Sequence, residues 1–260
     1  MIKNFLYDLA FKYIEHYEQF SYDIDSNGEH SLLKKLKNNF NFKVIFDVGA
    51  NKGDWAKRAS RIFENAQIHC FEISKSNFNF LKKLKNNNLV LNNLGLSDKN
   101  ESILYKDYGS SSPVNTILEH TDFHDKKYSL KKCQLITGDS YCKNNNIQEI
   151  DFLKIDVEGA ESLVLKGFKN FLISNKIKII QFEYGYANGD INFLIKDFYR
   201  LLNGSNYSVG PLKKEGVIFM DFDYGLNNFR SGPNFIAISN EYKEIIDSIK
   251  IDPIPGYPFR

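Results

Sequence analysis

The sequence predicts an α/β fold: a mostly parallel sheet, helices on both of its faces, and an antiparallel hairpin near the C-terminus. Three observations carry this. Apolar runs at 44–48, 68–72 and 89–93 have strand length, and each leads into a polar or glycine-rich segment. Helical spacing returns between them, so strands and helices alternate as in βαβ units. Two late runs, 216–220 and 234–238, then read as a hairpin that closes the sheet.

Taken in order, residues 2–20 put Ile2, Phe5, Leu6, Leu9, Tyr13, Ile14, Tyr17 and Phe20 at helical spacing. Asp8, Glu15 and Glu18 accompany Lys3 and Lys12 on the other side, an acidic tilt that disfavours an anionic membrane surface. The apolar face is expected to pack on the core or on a second copy of the chain. The turn-rich stretch Asp23-Ile24-Asp25-Ser26-Asn27-Gly28-Glu29 precedes a helix at 30–38. A helix at 54–62 and a lysine-rich one at 75–85 follow the first two strands. The middle is less regular, with strands at 102–105 and 133–137 around a polar loop at 108–112. A strand at 152–156, a helix at 160–167, a strand at 177–183 and a helix at 191–202 restore the alternation. The tail from Asp252 holds half of the six prolines and reads as a docked or loose extension. No repeat or linker is visible. The chain divides into a helical lead-in (1–43), one main domain (44–240) and a C-terminal extension (241–260).

The composition narrows the function classes. A chain of 260 residues, 42% hydrophobic and 25% charged, can bury a core without staples. Its 34 basic and 32 acidic residues leave +2, without the basic excess of a nucleic-acid binder. Cys70, Cys133 and Cys142 form neither a CxxC pair nor an even set, which argues against disulfides and a zinc cluster. No window of 18 apolar residues predicts a membrane span, and the N-terminus lacks a secretory pattern, so the cytoplasm is the expected location.

The chemistry concentrates at strand ends. Asp47-Val48-Gly49-Ala50-Asn51-Lys52-Gly53 joins a strand to a helix, and Gly49 and Gly53 allow a sharp turn and close ligand approach. It is neither GxGxxG nor a P-loop. An Asp there suits an ammonium-bearing ligand better than a pyrophosphate; an ordinary βα turn is the structural alternative. Glu72 ends the next strand, where an acidic residue can accept hydrogen bonds from ribose hydroxyls. Asn93, Asp156 and Glu183 end further strands, so five polar residues converge on one sheet edge. His120 and His124, four residues apart, read first as a solvated face. His30 follows Glu29 near the same edge. The lysine clusters at 82–85 and 126–132 read as solvated faces or, secondarily, as attraction for an anionic substrate.

Asp47 to Gly53 together with Glu72 resemble the first two motifs of class I S-adenosylmethionine-dependent methyltransferases. Leu153-Lys154-Ile155-Asp156-Val157-Glu158-Gly159-Ala160-Glu161 is similar to the central motif of the FkbM methyltransferase family. Asn27-Gly28-Glu29 and Leu96-Ser97-Asp98 also match that family. Gly138, and Ile73-Ser74 after Glu72, are small departures from it. The resemblance spans roughly 22–240. It implies a Rossmann-like class I methyltransferase fold with S-adenosylmethionine as cofactor. Asp47, Gly49, Asn51 and Gly53 would hold the methionine moiety, Glu72 the ribose, and Ser97 and Asp98 would flank the adenine.

A hydroxyl acceptor must lose a proton, so a carboxylate within reach is expected. Asp156 is the first candidate, with Glu158 and Glu183 behind it. Each has a structural alternative: a helix N-cap for Asp156, a helix start for Glu158, a polar strand end for Glu183. Asp156 and Glu183 could instead hold a divalent cation; the bare base is preferred and no metal ligand is assigned. The resemblance implies O-methylation of a sugar hydroxyl, on a nucleotide-linked sugar or a bacterial surface polysaccharide component. The alternatives are a small-molecule or polyketide hydroxyl, and a degenerate binding protein, disfavoured because Asp47, Gly49, Gly53 and Glu72 are intact. Tyr184, Tyr186 and Tyr224 are candidate sugar-stacking residues. The partner expected is a carbohydrate or nucleotide sugar, with no nucleic acid; a homo-oligomer is left open.

Overall fold

Alternation along the strands divides the central sheet into two apolar faces, and each face fixes a layer of helices. The computed structural model describes residues 2–109, 117–118, 127–228 and 232–258. Helices α1 (Ile2–Glu18) and α2 (Glu29–Asn39) lead into β1 (Val44–Val48), α3 (Asp54–Ile62), β2 (Gln67–Phe71), α4 (Lys75–Leu81) and β3 (Leu89–Asn92). Then come β4 (Gly95–Leu96), β5 (Glu101–Asp107), β6 (Ser129–Ile136), α5 (Gly138–Asn144) and β7 (Ile150–Ile155). Next are α6 (Glu161–Gly167), α7 (Lys169–Ile173), β8 (Ile177–Glu183), α8 (Ala187–Asp190) and α9 (Ile195–Asn203). The chain closes with β9 (Tyr207–Lys213), β10 (Gly216–Val217), β11 (Asn234–Ser239) and α10 (Lys243–Ile249).

The main sheet has the order β10-β9-β11-β8-β7-β1-β2-β3. Its β8-β7-β1-β2-β3 part is parallel; β11 runs antiparallel to both of its neighbours, β8 and β9, and β10 runs antiparallel to β9. The Rossmann-like expectation holds. Strands β4, β6 and β5 form a separate small sheet. On one face Phe46, Leu153, Ile180 and Phe182 meet Tyr141, Val164 and Phe198 from α5, α6 and α9. On the other, Ile45, Phe152, Ile179 and Ile236 meet Leu32, Trp55 and Ile245 from α2, α3 and α10. All three cysteines are buried and free.

One expectation needs correction and another is narrowed. The segment at 216–220 does not pair with 234–238. β10 pairs with β9, and β11 inserts between β9 and β8. β9 escaped the sequence reading because Gly210-Pro211 interrupts it, and both residues are depleted in strands. The glycine is needed there: a Cβ at Gly210 would sit 2.1 Å from the Ile218 carbonyl oxygen. Helix α1 does not pack on the core. Phe5, Tyr7 and Tyr13 are 65%, 69% and 66% exposed, because α2, α3 and α10 already cover that face. Its C-terminal end is tied down, where Lys213 Nζ donates to the Glu18 carbonyl at 2.7 Å and the Tyr17 hydroxyl donates to the Pro255 carbonyl at 3.2 Å. The C-terminal tail docks through Tyr257, whose ring lies 4.7 Å from Lys213 Nζ. Among the described residues no helix is long and apolar enough to cross a membrane.

Phe182 lies between Phe198 and Phe235, with ring centroids 4.6 and 5.6 Å away. Truncation there removes a fully buried ring from the junction of the parallel and antiparallel strands. Phe182→Ala is expected to lower unfolding free energy by about 3–5 kcal/mol in urea titrations; a loss under about 1 kcal/mol would contradict this packing.

Candidate active site

Strand alternation also builds the site. Asp47 of β1 stands opposite Lys154 of β7, and Lys154 stands opposite Gln181 of β8. Side chains two residues on share the same face. Gly49, Asp156 and Glu183 therefore form a second row above the first, and Glu183 is in register with Asn234 of β11. Both rows belong to the face covered by α2 and lie toward the carboxyl ends of the parallel strands, the ligand edge of such sheets.

The lower row is a buried charge cluster. Lys154 Nζ lies 3.0 Å from Asp156 Oδ2 and 3.5 Å from Asp47 Oδ1. The Asp47 contact is an ion pair at the limit of hydrogen-bond length, and neither Asp47 oxygen has a closer partner among the described residues. Burial works against the Lys154 charge, but Asp156, Asp47 and Glu29 outweigh it and hold the ammonium protonated. Burial raises Asp47 despite Lys154. For Asp156 burial pulls upward, yet Lys154 and a hydrogen bond with Glu183 keep it below the usual carboxylate range. Glu183 is driven well up by burial and by Asp156. The two carboxyls are thus pushed in opposite directions, Asp156 toward the ionised form and Glu183 toward the protonated one.

The upper row opens into a cavity of about 640 Å³. Gly49, Asn51, Glu72, Asp156, Glu158 and Glu183 all line it. Asn51, at a positive φ of 49°, donates its backbone N–H to Glu72 Oε2 at 2.8 Å, and Ser74 N donates to Oε1 at 2.6 Å. Glycine is required at position 49, where φ is +83° and a Cβ would meet the Asp156 carbonyl oxygen at 1.8 Å. Burial lifts Glu72 to about 7 against these two N–H donors. Glu158 is lifted to about 8 by burial, Asp156 and Glu161. Its backbone is left-handed, with φ 57°, a strained conformation for a residue with a side chain. Glu161 Oε1 pins that turn by accepting the Val157 and Gly159 N–H groups, and Oε2 accepts Asn188 Nδ2 at 2.8 Å. Phe71, Ile73, Leu96, Ile117 and Leu135 make the wall beside Glu72 apolar.

Four predicted site residues stand off the wall. Asp47 is fully buried beneath it against Lys154. Gly53 begins α3, packed toward Leu81 and Leu84. Ser97 is buried, its N–H donating to the Ile136 carbonyl, and its Oγ donates to Asp98 at 3.3 Å; their neighbour Leu96 faces the cavity instead. Asn93, another strand-end residue, donates to the Glu72 carbonyl at 2.7 Å. Tyr184 is core, packed on Phe198 and Phe235, and Tyr224 is exposed beside Phe222. Tyr186 alone of the three proposed stacking residues reaches the cavity. His120 and His124 lie outside the described residues.

Several lining residues had no role assigned from sequence. Tyr22, Asn27 and Glu29 come from the lead-in. Asn27 Nδ2 donates to Glu29 Oε2 at 2.6 Å, and Gln181 Nε2 donates to Glu29 Oε1 at 2.6 Å and to Asn234 Oδ1 at 3.1 Å. The available signal was Gln181, polar inside an apolar strand and two residues before Glu183. Among the described residues no three His, Cys, Asp or Glu side chains are arranged to hold a metal ion.

Lys154→Met leaves the buried Asp47 and the half-buried Asp156 without their cation. We expect a stability loss of about 3–5 kcal/mol near neutral pH. The gap from the unaltered chain should narrow as pH falls, because protonating Asp47 and Asp156 removes the unpaired charges. Denaturant midpoints measured across pH check this; a pH-independent gap would show that the ion pair is not the cause.

The model of the methyltransferase FkbM domain matches residues 47–209. The chain is 27% identical over 162 residues to the 2-O-methyltransferase NoeI of Sinorhizobium fredii, covering 54% of this chain and 63% of that protein. It is 25% identical over 177 residues to the hexuronic acid methyltransferase AglP of Haloferax volcanii, covering 66% and 70% respectively. The match to NoeI thus spans less than two thirds of that protein's length. Among solved structures, methyltransferase FkbM from Methylobacillus flagellatus is 13% identical with a TM-score of 0.46, covering 76% of this chain and 43% of that one. The matched segment 47–209 is more than half of the 260 residues and runs from β1 into β9, and on that match the chain belongs to the FkbM methyltransferase family.

Proposed function

We propose that this protein is an S-adenosylmethionine-dependent O-methyltransferase whose acceptor is a sugar hydroxyl. One observation carries the reading. Gly49, Glu72, Asp156 and Glu183, the ends of β1, β2, β7 and β8, open into a single cavity. The donor set fits the cofactor: carboxylates for a sulfonium and an ammonium, a strand-end Glu for a ribose diol, and an apolar wall beside it for an aromatic base. The family supports methyl transfer, the 2-O-methyltransferase NoeI supports an oxygen acceptor, and the hexuronic acid methyltransferase AglP supports a carbohydrate one.

Bound there, the cofactor supplies an electrophilic methyl group; as the acceptor oxygen bonds to its carbon the carbon–sulfur bond breaks, leaving a neutral thioether. The residues of this chain then have separable tasks. Glu72 receives the ribose hydroxyls through the lone pairs its two N–H donors leave open. Asp156, ionised beside Lys154, takes the acceptor's proton, and Glu183 steadies it by donating its own. Asp47 acts through Lys154 and needs no contact with the ligand. Most of the rate would come from holding the acceptor oxygen in line with the methyl group.

Calorimetry should detect S-adenosylhomocysteine binding, weakened at least about tenfold by Glu72→Ala, the loss expected for a buried charge-assisted contact; absence of binding to the unaltered chain would refute the cofactor assignment. Asp156→Asn should keep that affinity and lower transfer by about 10²–10⁴-fold, the range of general-base catalysis. Because Glu72 sits up at about 7, affinity should rise with pH through about 7, and Glu72→Gln should flatten that rise. The sign for folding is opposite. The unfolded chain releases this proton at the ordinary value of 4.5, so Glu72 costs stability progressively from there up to about 7 and fully above it.

A further inference from the structure

Helix α1 presents its apolar stripe outward, the reverse of an ordinary surface helix. Phe5, Leu6, Leu9, Tyr13 and Tyr17 recur every three or four residues and therefore share one face. Phe5, Leu6, Leu9 and Tyr13 are each more than half exposed. The residues of α1 that the rest of the chain shields most are Phe11, Glu15 and Glu18, on the opposite face. The helix is nonetheless held in place. Lys213 and Pro255 bind its last turn, and the Tyr13 and Tyr17 rings stack with centroids 6.1 Å apart. The stripe leaves on the order of 500 Å² of side-chain surface uncovered, the upper end of what a monomer keeps exposed in one patch. It cannot turn inward, because α2, α3 and α10 already occupy the nearby face of the sheet.

We propose that this face is a homodimer interface, in which α1 pairs antiparallel with the α1 of a second copy of the chain about a two-fold axis. The charges support that occupant. Asp8 and Lys12 are both exposed and stand one turn apart along one edge of the stripe. In an antiparallel pair an edge meets the same edge of the other helix, running the opposite way. Each Asp8 then falls opposite the other copy's Lys12, and both ion pairs form at once. The axis passes level with the middle of α1, near Leu9, and makes the patch self-complementary, as a two-fold contact requires. Two such stripes, with their polar edges, approach the area of about 800 Å² per partner typical of stable complexes. A lipid surface fits less well, because Asp8, Glu15 and Glu18 outnumber Lys3 and Lys12 on this helix. The aromatic content suits a protein partner too, since tyrosine and phenylalanine are enriched at the centres of such contacts.

Sedimentation equilibrium on the full chain, at micromolar concentrations, tests this without reference to activity. The unaltered chain should have twice the chain mass. Leu9→Glu sets like charges against each other at the two-fold and should weaken association at least about a hundredfold. Asp8→Lys and Lys12→Asp should each weaken it about tenfold, as exposed ion pairs turned repulsive do. Asp8→Lys combined with Lys12→Asp should restore it, because the opposite charges again face each other. All three positions are exposed, so urea midpoints should stay those of the unaltered chain, extrapolated to low concentration. A monomeric unaltered chain overturns the proposal, and its flotation with phosphatidylcholine–phosphatidylserine vesicles would assign the stripe to lipid instead. A dimer that tolerates Leu9→Glu overturns it as well, by placing the interface elsewhere. Failure of the double reversal to restore association overturns the antiparallel pairing.

Discussion

Lys154 holds the site together. It is a buried cation on the central strand β7, and its two carboxylate partners lie on β1 and just past the end of β7. The arrangement links strands whose register defines the cavity floor. It also divides the neighbouring carboxyls into unlike roles. Asp156, at 3.0 Å, is kept ionised. Glu183, one strand further out and facing that negative charge, keeps its proton. A lysine solvated at the surface would do far less, because the high dielectric of water weakens its interaction with a carboxylate even at contact.

From that cluster outward the site follows from the two-residue period of strands. Apolar positions on the same face, such as Ile45, Phe152 and Ile179, bind α2, α3 and α10. Where the strands approach their carboxyl ends the same face turns polar: Asp47, Lys154 and Gln181 in one row, Gly49, Asp156 and Glu183 in the next. Helix α2 brings Glu29 onto Gln181, and β11 brings Asn234. The buried members of this scheme, Asp47, Lys154, Gln181, Glu29 and Asn234, lie against one another, as the low dielectric of the interior favours. The strain at Glu158 belongs to this scheme. A left-handed residue after β7 aims a carboxyl at the cavity while Glu161 holds the turn from below.

Much of this was legible in the residues and their spacing. Strand β1 ends at Val48 as its apolar run ends, and β2, β3, β7 and β8 lie within one or two residues of their runs. Gly49, Glu72, Asp156 and Glu183 could be picked out because polar or glycine residues end apolar runs, and Asn51 and Glu158 because they stand in the two motifs that resemble the family's. Strand β9 was not legible, since Gly210 and Pro211 break the pattern that marks a strand; what makes it one is pairing with β11 and β10. Asp47 and Ser97 showed the converse limit. Their motifs predict contact with a ligand, but nothing in a motif tells whether a side chain reaches a cavity or supports the residue that does.

The order of the residues determined the α/β class, the sheet faces, the βα glycine turn and the set of carboxyls at strand ends, because all of these are written in periods of two or about 3.6 residues and in local turn chemistry. The insertion of β11 between β8 and β9, the seating of Lys154 between two carboxylates, the recruitment of Tyr22 and Glu29 from the lead-in, and the exposure of α1 were decided by the folded chain. Each depends on which distant segments compete for the same apolar surface or the same buried charge. Such competition is resolved by packing and electrostatics across the whole molecule, and no local pattern records its outcome.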